Sequence, residues 1–285
     1  MTDRLSDVRR QRESVVQLRS IVIAMRGIAA SRAQNARLLV PGISAYADAI
    51  SGSIGQALRM LVHDQRRPPH ERHENRCLIL FCAEQGFAGA FNERILEAAA
   101  RRSQAKVVLM IGSRGVALAL ERGLSLAWSA PMVTHPDGIP RLANAVAEAL
   151  YEFIEDLDIN CVDVVFAQPM SGGAVSVESR SLIPIDFERF AIPLDQNPPI
   201  ATLPPDVLLD RLAREYIYAQ ICEACVYAFA AENEARMTVM TAAKANIETK
   251  LAVLSRRESE LRQQEITAEV VELTAGTEAI SRRRP

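Results

Sequence analysis

The sequence predicts an α/β domain inserted between two long helices that pair as an antiparallel coiled coil. Three observations predict it. The two ends of the chain are nearly free of glycine and proline. Both ends carry apolar residues at helical spacing. Between them, short apolar runs alternate with amphipathic stretches, as strands and helices do around a mostly parallel sheet. The 285 residues are enough for a sizeable core. Lys and Arg total 33 against 35 Asp and Glu, a balance that argues against a general nucleic-acid binder. An apolar share of 49 % rules out wholesale disorder, and an aromatic share of 5 % suits helices packed through aliphatic side chains.

The first helix comes from the stretch Thr2 to Val40, which has no proline and one glycine, Gly27. Apolar residues recur at Leu5, Val8, Val15, Leu18, Val22, Met25 and Ala29, with Arg12 as an interruption. From Val15 the steps alternate between three and four, the spacing of a helix–helix seam. The stretch measures ~60 Å as a helix. Pro41 and Gly42 are expected to break or kink it, with a second helical stretch from about Ile43 to Val62. His63 to Arg76 is charged, holds Pro68 and Pro69 and lacks periodicity, so it reads as a linker. Its HxxH, His70 and His73, has no further ligands at metal-site spacing and reads as solvated loop.

The middle follows in order. Cys77 to Ala83 is a short apolar run, as in a buried strand. Phe91 to Arg102 reads as a helix, Lys106 to Gly112 as a second strand, and Ser113 to Gly123 as a second helix. Leu124 to Trp128 is a third, shorter strand. Ile139 to Leu157 is an amphipathic helix, and Cys161 to Gln168 is another strand. Gly172 to Ile185 alternates, as the edge strand of a hairpin would. The last segment is the strongest: Asp206 to Ala275 holds neither glycine nor proline. One helix of that length measures ~105 Å. Its stripe runs through Cys222, Val226, Phe229, Met240, Ala243, Ile247, Leu251, Leu254 and Leu261, with Asn233 and Glu258 as interruptions. Gly276 is the expected stop, before the basic tail Arg282 to Arg284. Neither long helix can bury its stripe alone. They are expected to bury each other, with the longer one protruding and its protruding part left for another protein. The domains are then 1–66, 74–200 and 204–285.

The chain offers little for catalysis. Glu84 to Phe91 is a glycine-bearing loop between a strand and a helix, where α/β folds often hold ligands. It matches neither GxGxxG nor GxxxxGK[ST], so Gly86 and Gly89 read as parts of a tight turn. Ser113 reads as a helix N-cap and not as a nucleophile. His135 reads as a surface-loop residue. Five cysteines fit a reducing compartment, and Cys222 and Cys225 share one helix face as small packing residues. No cofactor or metal site is expected. The amino terminus has no signal-peptide core, and no apolar run approaches the ~18–20 residues that span a bilayer. Arg4, Arg9, Arg10, Arg12, Arg19, Arg26, Arg32 and Arg37 face only Asp3, Asp7 and Glu13 over the first forty residues. That excess reads either as a solvated helix face or as complementarity to an acidic partner.

Three segments resemble the gamma subunit of F-type ATP synthases, the central rotor shaft. Ile21 to Arg37 is similar to the family's amino-terminal pattern at Ala24, Met25, Ala29, Ala30 and Ser31. Glu84 to Ile95 resembles its glycine loop at Gly86, Gly89 and Asn92. The carboxy-terminal helix matches at Glu232, Ala235, Arg236, Met237, Met240, Ala243 and Asn246. It matches again at Arg262, Gln263, Ile266, Thr267, Glu269, Glu272 and Gly276. Departures mark a divergent member: Glu84-Gln85 for Asp-Arg, Ala88 for Cys, Ala231 for Ser, Glu258 to Leu261 for Tyr-Asn-Lys-Ala, and Pro41-Gly42 within the helix. The resemblance implies an antiparallel coiled coil carrying an α/β domain. It implies a non-catalytic subunit coupling proton or sodium flow to ATP synthesis or hydrolysis. The implied partners are the alpha and beta subunits of the hexamer, the epsilon subunit and the membrane ring of c subunits. The implied location is peripheral, on the cytoplasmic face of the bacterial inner membrane. Met25, Arg262, Gln263 and Thr267 are implied to meet the beta-subunit loops that grip the shaft. Two other readings stand beside it: a stand-alone enzyme using the Glu84–Asn92 loop, and an unrelated homodimeric coiled-coil scaffold.

Overall fold

The computed structural model describes residues 5–61, 75–102, 105–170, 174–191 and 200–281, with side chains as far as residue 275. The HxxH, Arg4 and the tail Arg282 to Arg284 lie outside the described residues. Helix α1 (Leu5–Leu61) is continuous over 57 residues, ~85 Å. Pro41 lies inside it instead of ending it. A proline costs a helix interior ~3 kcal/mol. Packing on both sides of it outweighs that cost: Ala36, Val40 and Ile43 join one core cluster, and Ala47, Ile50 and Ile54 join another. α1 also holds an 18-residue window of mean hydropathy 1.2, apolar enough by length and composition to cross a bilayer. The sequence reading expected none, because the window is apolar on average and contains no unbroken run. Only 11 % of that window is buried within the chain, and one such helix is by itself weak support for a span.

The carboxy-terminal helix α5 (Pro205–Ser281) spans 77 residues. It runs through Gly276, the expected stop. A single glycine costs a helix only ~1 kcal/mol and does not end it.

The chain forms two compact units. One comprises the chain up to Gly27 together with Val239 onward, and the other is Ile28–Thr238. In the first unit, α1 and α5 pair antiparallel. Leu5 and Val8 pack with Leu254 and Leu261, while Val22 and Met25 pack with Met240 and Ile247. The two interruptions of the stripes meet each other, because Arg12 pairs with Glu258 at 3.6 Å and Arg9 joins at 3.1 Å. Leu18, expected in the seam, is 48 % exposed. It lies on the flank of a stripe whose buried positions are Val22 and, further on, Ala29.

In the second unit the antiparallel pairing recurs, with Ala47, Ile50 and Ile54 against Leu209, Leu212, Tyr216 and Ala219. The α/β domain here has a five-stranded sheet in the order β3-β2-β1-β4-β5. β1 (Arg76–Phe81), β2 (Val107–Ile111), β3 (Trp128–Ala130) and β4 (Cys161–Pro169) are parallel, and β5 (Val175–Ile183) closes one edge antiparallel. Helices α2 (Phe91–Ala100), α3 (Ser113–Glu121) and α4 (Ile139–Leu157) connect them. β3 starts where the expected strand was to end. Leu124 instead continues the turn after α3, its N–H bonded to the Ala119 carbonyl.

Alternate residues of β1 face opposite layers. Cys77, Ile79 and Phe81 pack with α4 and with α5 from Ile217 to Ala230. Leu78 and Leu80 pack with α2, α3 and Ala231. α5 therefore passes from one layer to the other across the carboxyl ends of the central strands. Asp163, the charged residue of β4, is fully buried and pairs with Arg76 and Arg102.

Candidate functional site

The carboxyl end of β1 leads into the glycine loop, at the point where the parallel sheet changes winding direction. In open α/β sheets such a point is the usual ligand crevice. The loop is held from inside the domain by two side chains. Asn92 Oδ1 accepts the Ala83 N–H at 2.8 Å. The Glu84 carboxylate accepts from Ser113 N–H at 2.9 Å, Ser113 O–H at 2.7 Å and Met132 N–H at 2.8 Å. Ser113 is thus not the N-cap of α3. Gly112 holds that position, with no side chain to offer, and Glu84 from the neighbouring loop supplies the acceptor. A carboxylate suits the positive end of a helix. Gly112 is required there: its φ is +105°, and a Cβ would lie 2.3 Å from the Cys82 carbonyl oxygen.

The loop is also held from outside, by α5. Glu84 N–H and Gln85 N–H donate to the two carboxylate oxygens of Glu232, each at 3.2 Å. Arg236 pairs with Glu232 one turn away. Its guanidinium also donates to the carbonyls of Gly86 at 3.2 Å and Gln85 at 3.3 Å, and to Asn233 Oδ1 at 3.1 Å. Glu232, Asn233 and Arg236 are all buried. A buried pair of this kind is tolerated only when its remaining donors and acceptors are satisfied, as they are here. Three turns earlier, Arg180 on β5 bonds Glu223 and Gln220 of α5 and lies 5.3 Å from the Phe166 ring centroid. Between these attachments α5 presents Ala224, Cys225, Ala228 and Ala231, all buried, so its backbone lies close to the sheet. Arg37 of α1 pairs with the buried Glu234 on another side of the same helix.

The five thiols are free and buried. Burial pushes Cys77 and Cys82 up to about 12, with the Glu232 charge adding to the effect at Cys82. Thiols held neutral in this way are poor nucleophiles. Cys222 and Cys225 are likewise raised by burial. Among the described residues, no group of three or more His, Cys, Asp and Glu side chains is arranged to hold a metal ion. His135 is exposed, just before a short 3-10 turn (Pro136–Gly138). An open cleft of about 260 Å³ lies beside the loop, bordered by Phe87, Asn92, Arg114, Leu118 and Glu121.

The sequence-predicted site residues fall in three places. Gly86, Gly89 and Asn92 belong to the clamped loop: Gly86 lends its carbonyl to Arg236, and Gly89 adopts φ +62°. Met25 is half-buried in the α1–α5 seam. Arg262, Gln263 and Thr267 stand on an α5 stretch that is exposed at every position from Arg262 to Ala275. Arg262 pairs with Glu258 at 3.5 Å, and Thr267 bonds the Gln263 carbonyl at 2.8 Å. Ile266, Val270, Val271 and Leu273 are exposed apolar side chains on the same stretch. Glu232 and Arg236 match the family's pattern and Asn233 interrupts the apolar stripe, but the sequence alone assigns none of the three a role. The available signal was their i, i+4 spacing inside an otherwise apolar and alanine-rich segment.

Residues 4–280 match the family model described as ATP synthase. The chain belongs to the ATP synthase gamma-chain family. It is 26 % identical to the ATP synthase gamma chain of Leifsonia xyli subsp. xyli over 289 aligned positions, covering 96 % of each chain. It is 25 % identical to that of Solibacter usitatus, covering 96 % of this chain and 98 % of the relative. In fold it resembles a chain in the cryo-EM structure of Euglena gracilis mitochondrial ATP synthase (OSCP/F1/c-ring, rotational state 3). That likeness has a TM-score of 0.64 at 11 % identity, over 99 % of this chain and 96 % of the other. It also resembles a chain of the Tetrahymena thermophila mitochondrial central stalk/c-ring structure, with a TM-score of 0.57 at 16 % identity, over 78 % and 99 %. Membership in this family makes the chain a non-catalytic subunit, the central shaft of a rotary ATP synthase.

Proposed function

We propose that this chain transmits torque between a membrane ring of c subunits and an alpha/beta hexamer, coupling ion flow to ATP synthesis or hydrolysis. The observation that carries the reading is the split character of α5. Its middle is fixed to the α/β domain by buried ionic contacts, while its end offers an exposed apolar surface that none of the described residues covers. That end is the part that turns inside the hexamer, its apolar side chains sliding in a sleeve made by the alpha and beta subunits. Arg262, Gln263 and Thr267 meet the beta loops there, and Met25 meets them from the α1–α5 seam, where part of its side chain is at the surface. The α/β domain faces the epsilon subunit and the c-ring, and Gly86, Gly89 and Asn92 keep its loop in shape. The functional pieces are residues 1–66, 74–200 and 204–285, working peripherally on the cytoplasmic face of a bacterial inner membrane. Coupling arises because the shaft makes different contacts with each catalytic site as it turns.

The stand-alone enzyme reading is opposed by Glu232, which occupies the backbone donors a ligand would need. Affinity capture of the chain from gently solubilised membranes tests the proposal. Alpha and beta subunits in molar excess, with c-ring protein, are the expected companions. Recovery of the chain as a soluble homodimer, or ATP hydrolysis by the purified chain alone, would overturn it.

A further inference from the structure

The crevice at the carboxyl end of the sheet is not vacant. In α/β folds, successive backbone N–H groups at this point commonly receive a ligand's anionic group. Here the N–H groups of Glu84 and Gln85 receive the two oxygens of Glu232, one on each. The carboxylate is buried, and Arg236 closes it from the other side while also holding the Gln85 and Gly86 carbonyls. The loop therefore presents two donors to Glu232 and two acceptors to Arg236. On the loop's other flank the Glu84 carboxylate accepts from the start of α3, and the Arg114 side chain lies alongside Gly86.

We propose that this crevice is an anion seat filled by the chain's own Glu232, and that Glu232 acts as a positioning residue for torque transfer by locking the α/β domain onto α5. The inference rests on the rotor reading for its functional consequence but not for the seat itself. An emptied seat would keep its two N–H donors and the Arg236 guanidinium, and would accept a small free carboxylate such as formate or acetate.

The test uses Glu232→Ala and Glu232→Gln in the full chain, alone and in the assembled membrane complex. In the isolated full chain, amide exchange at Glu84 and Gln85 is expected to quicken at least tenfold in Glu232→Ala. Formate should restore protection, and equal chloride should not. In membrane vesicles, the ratio of ATP-driven proton or sodium uptake to ATP hydrolysis is expected to fall several-fold in Glu232→Ala. That ratio should recover with formate, with Glu232→Gln intermediate. A merely structural role would lower uptake and hydrolysis together and would not respond to formate. Unchanged exchange at Glu84 and Gln85 in both variants, or a lowered ratio that formate leaves untouched, would overturn the proposal. The exchange measurement needs no partner, so it judges the seat even if the wild-type complex shows no ion uptake, the result that would instead sink the rotor reading. If Glu232→Ala does not fold, the isosteric Glu232→Gln decides the same two readouts.

Discussion

The middle of α5 and its end use similar residues for opposite purposes. Between Gln220 and Arg236 the helix carries glutamates, an arginine and small apolar residues, and nearly all are buried against the same chain. Between Arg262 and Ala275 it again carries an arginine, glutamates and apolar residues, and all are exposed. Both stretches belong to one continuous helix. What differs is the cover: a sheet, a loop and α1 over the middle, and nothing from this chain's described residues over the end. A helical stripe states that something must cover it, not whether the cover is the same chain or another.

The sharpest way to break this comparison is to make one substitution in both places. Arg236→Ala leaves Glu232 buried without its partner, which costs ~3–5 kcal/mol. Arg262→Ala removes one exposed partner of Glu258 and costs no more than ~1 kcal/mol. Urea denaturation of the two purified variants checks the difference. Equal losses would mean that the buried clamp contributes no more than a surface pair. Arg236→Lys should recover only part of the loss, because a single ammonium cannot reach Gly86, Gln85, Asn233 and Glu232 together.

Much of the architecture was legible in the sequence because it rests on periodicity and punctuation. The α4 boundaries, the hairpin β4–β5 and the antiparallel seam through Val22, Met240 and Ile247 all follow from spacing. Pro41 and Gly276 misled because local helix-breaking tendency is small beside tertiary packing over several turns. The clamp was less legible for a different reason. Glu232, Asn233 and Arg236 look like breaks in an apolar stripe until the loop they bind is placed some 150 residues away in the chain. Two positions at which the chain departs from its family's pattern carry contacts of its own. Glu84 caps α3, and Glu258 joins Arg9, Arg12 and Arg262.

The buried region should also show itself in alkali. Cys77 and Cys82 have folded pKa values raised to about 12 from an ordinary 9.0. Below pH 9 both states keep these protons, and the stability they contribute is fully present. Above it the unfolded chain releases them and the folded chain does not, so stability falls as pH rises from about 9 towards 12. Each thiol contributes at most ~1.4 kcal/mol per pH unit. Urea midpoints at pH 8, 9 and 10 measure the slope, and Cys82→Ala should flatten it. A slope unchanged by that variant would mean that other groups carry the effect.

A smaller effect is expected at Glu258, where the partner arginines are half exposed and screened by salt. Glu258→Gln should cost ~0.5–1 kcal/mol at low ionic strength and less at high salt. A loss that is insensitive to salt would mean that Glu258 acts through packing and not through charge.

The least effect on the chain itself is expected at the exposed end. Ile266, Val271 and Leu273 are each more than half exposed, so no core is lost when they change. Val271→Ser and Leu273→Ser together should shift the stability of the isolated chain by less than ~0.5 kcal/mol. Their consequence belongs to the partner. If the hexamer covers this stretch, the double variant should bind alpha and beta subunits more weakly in a reconstitution assay while its own unfolding curve stays put. An unchanged reconstitution would show that the cover lies elsewhere on α5. A large loss of intrinsic stability would show that the end is already packed within the chain, and the contrast between the two regions of the helix would disappear.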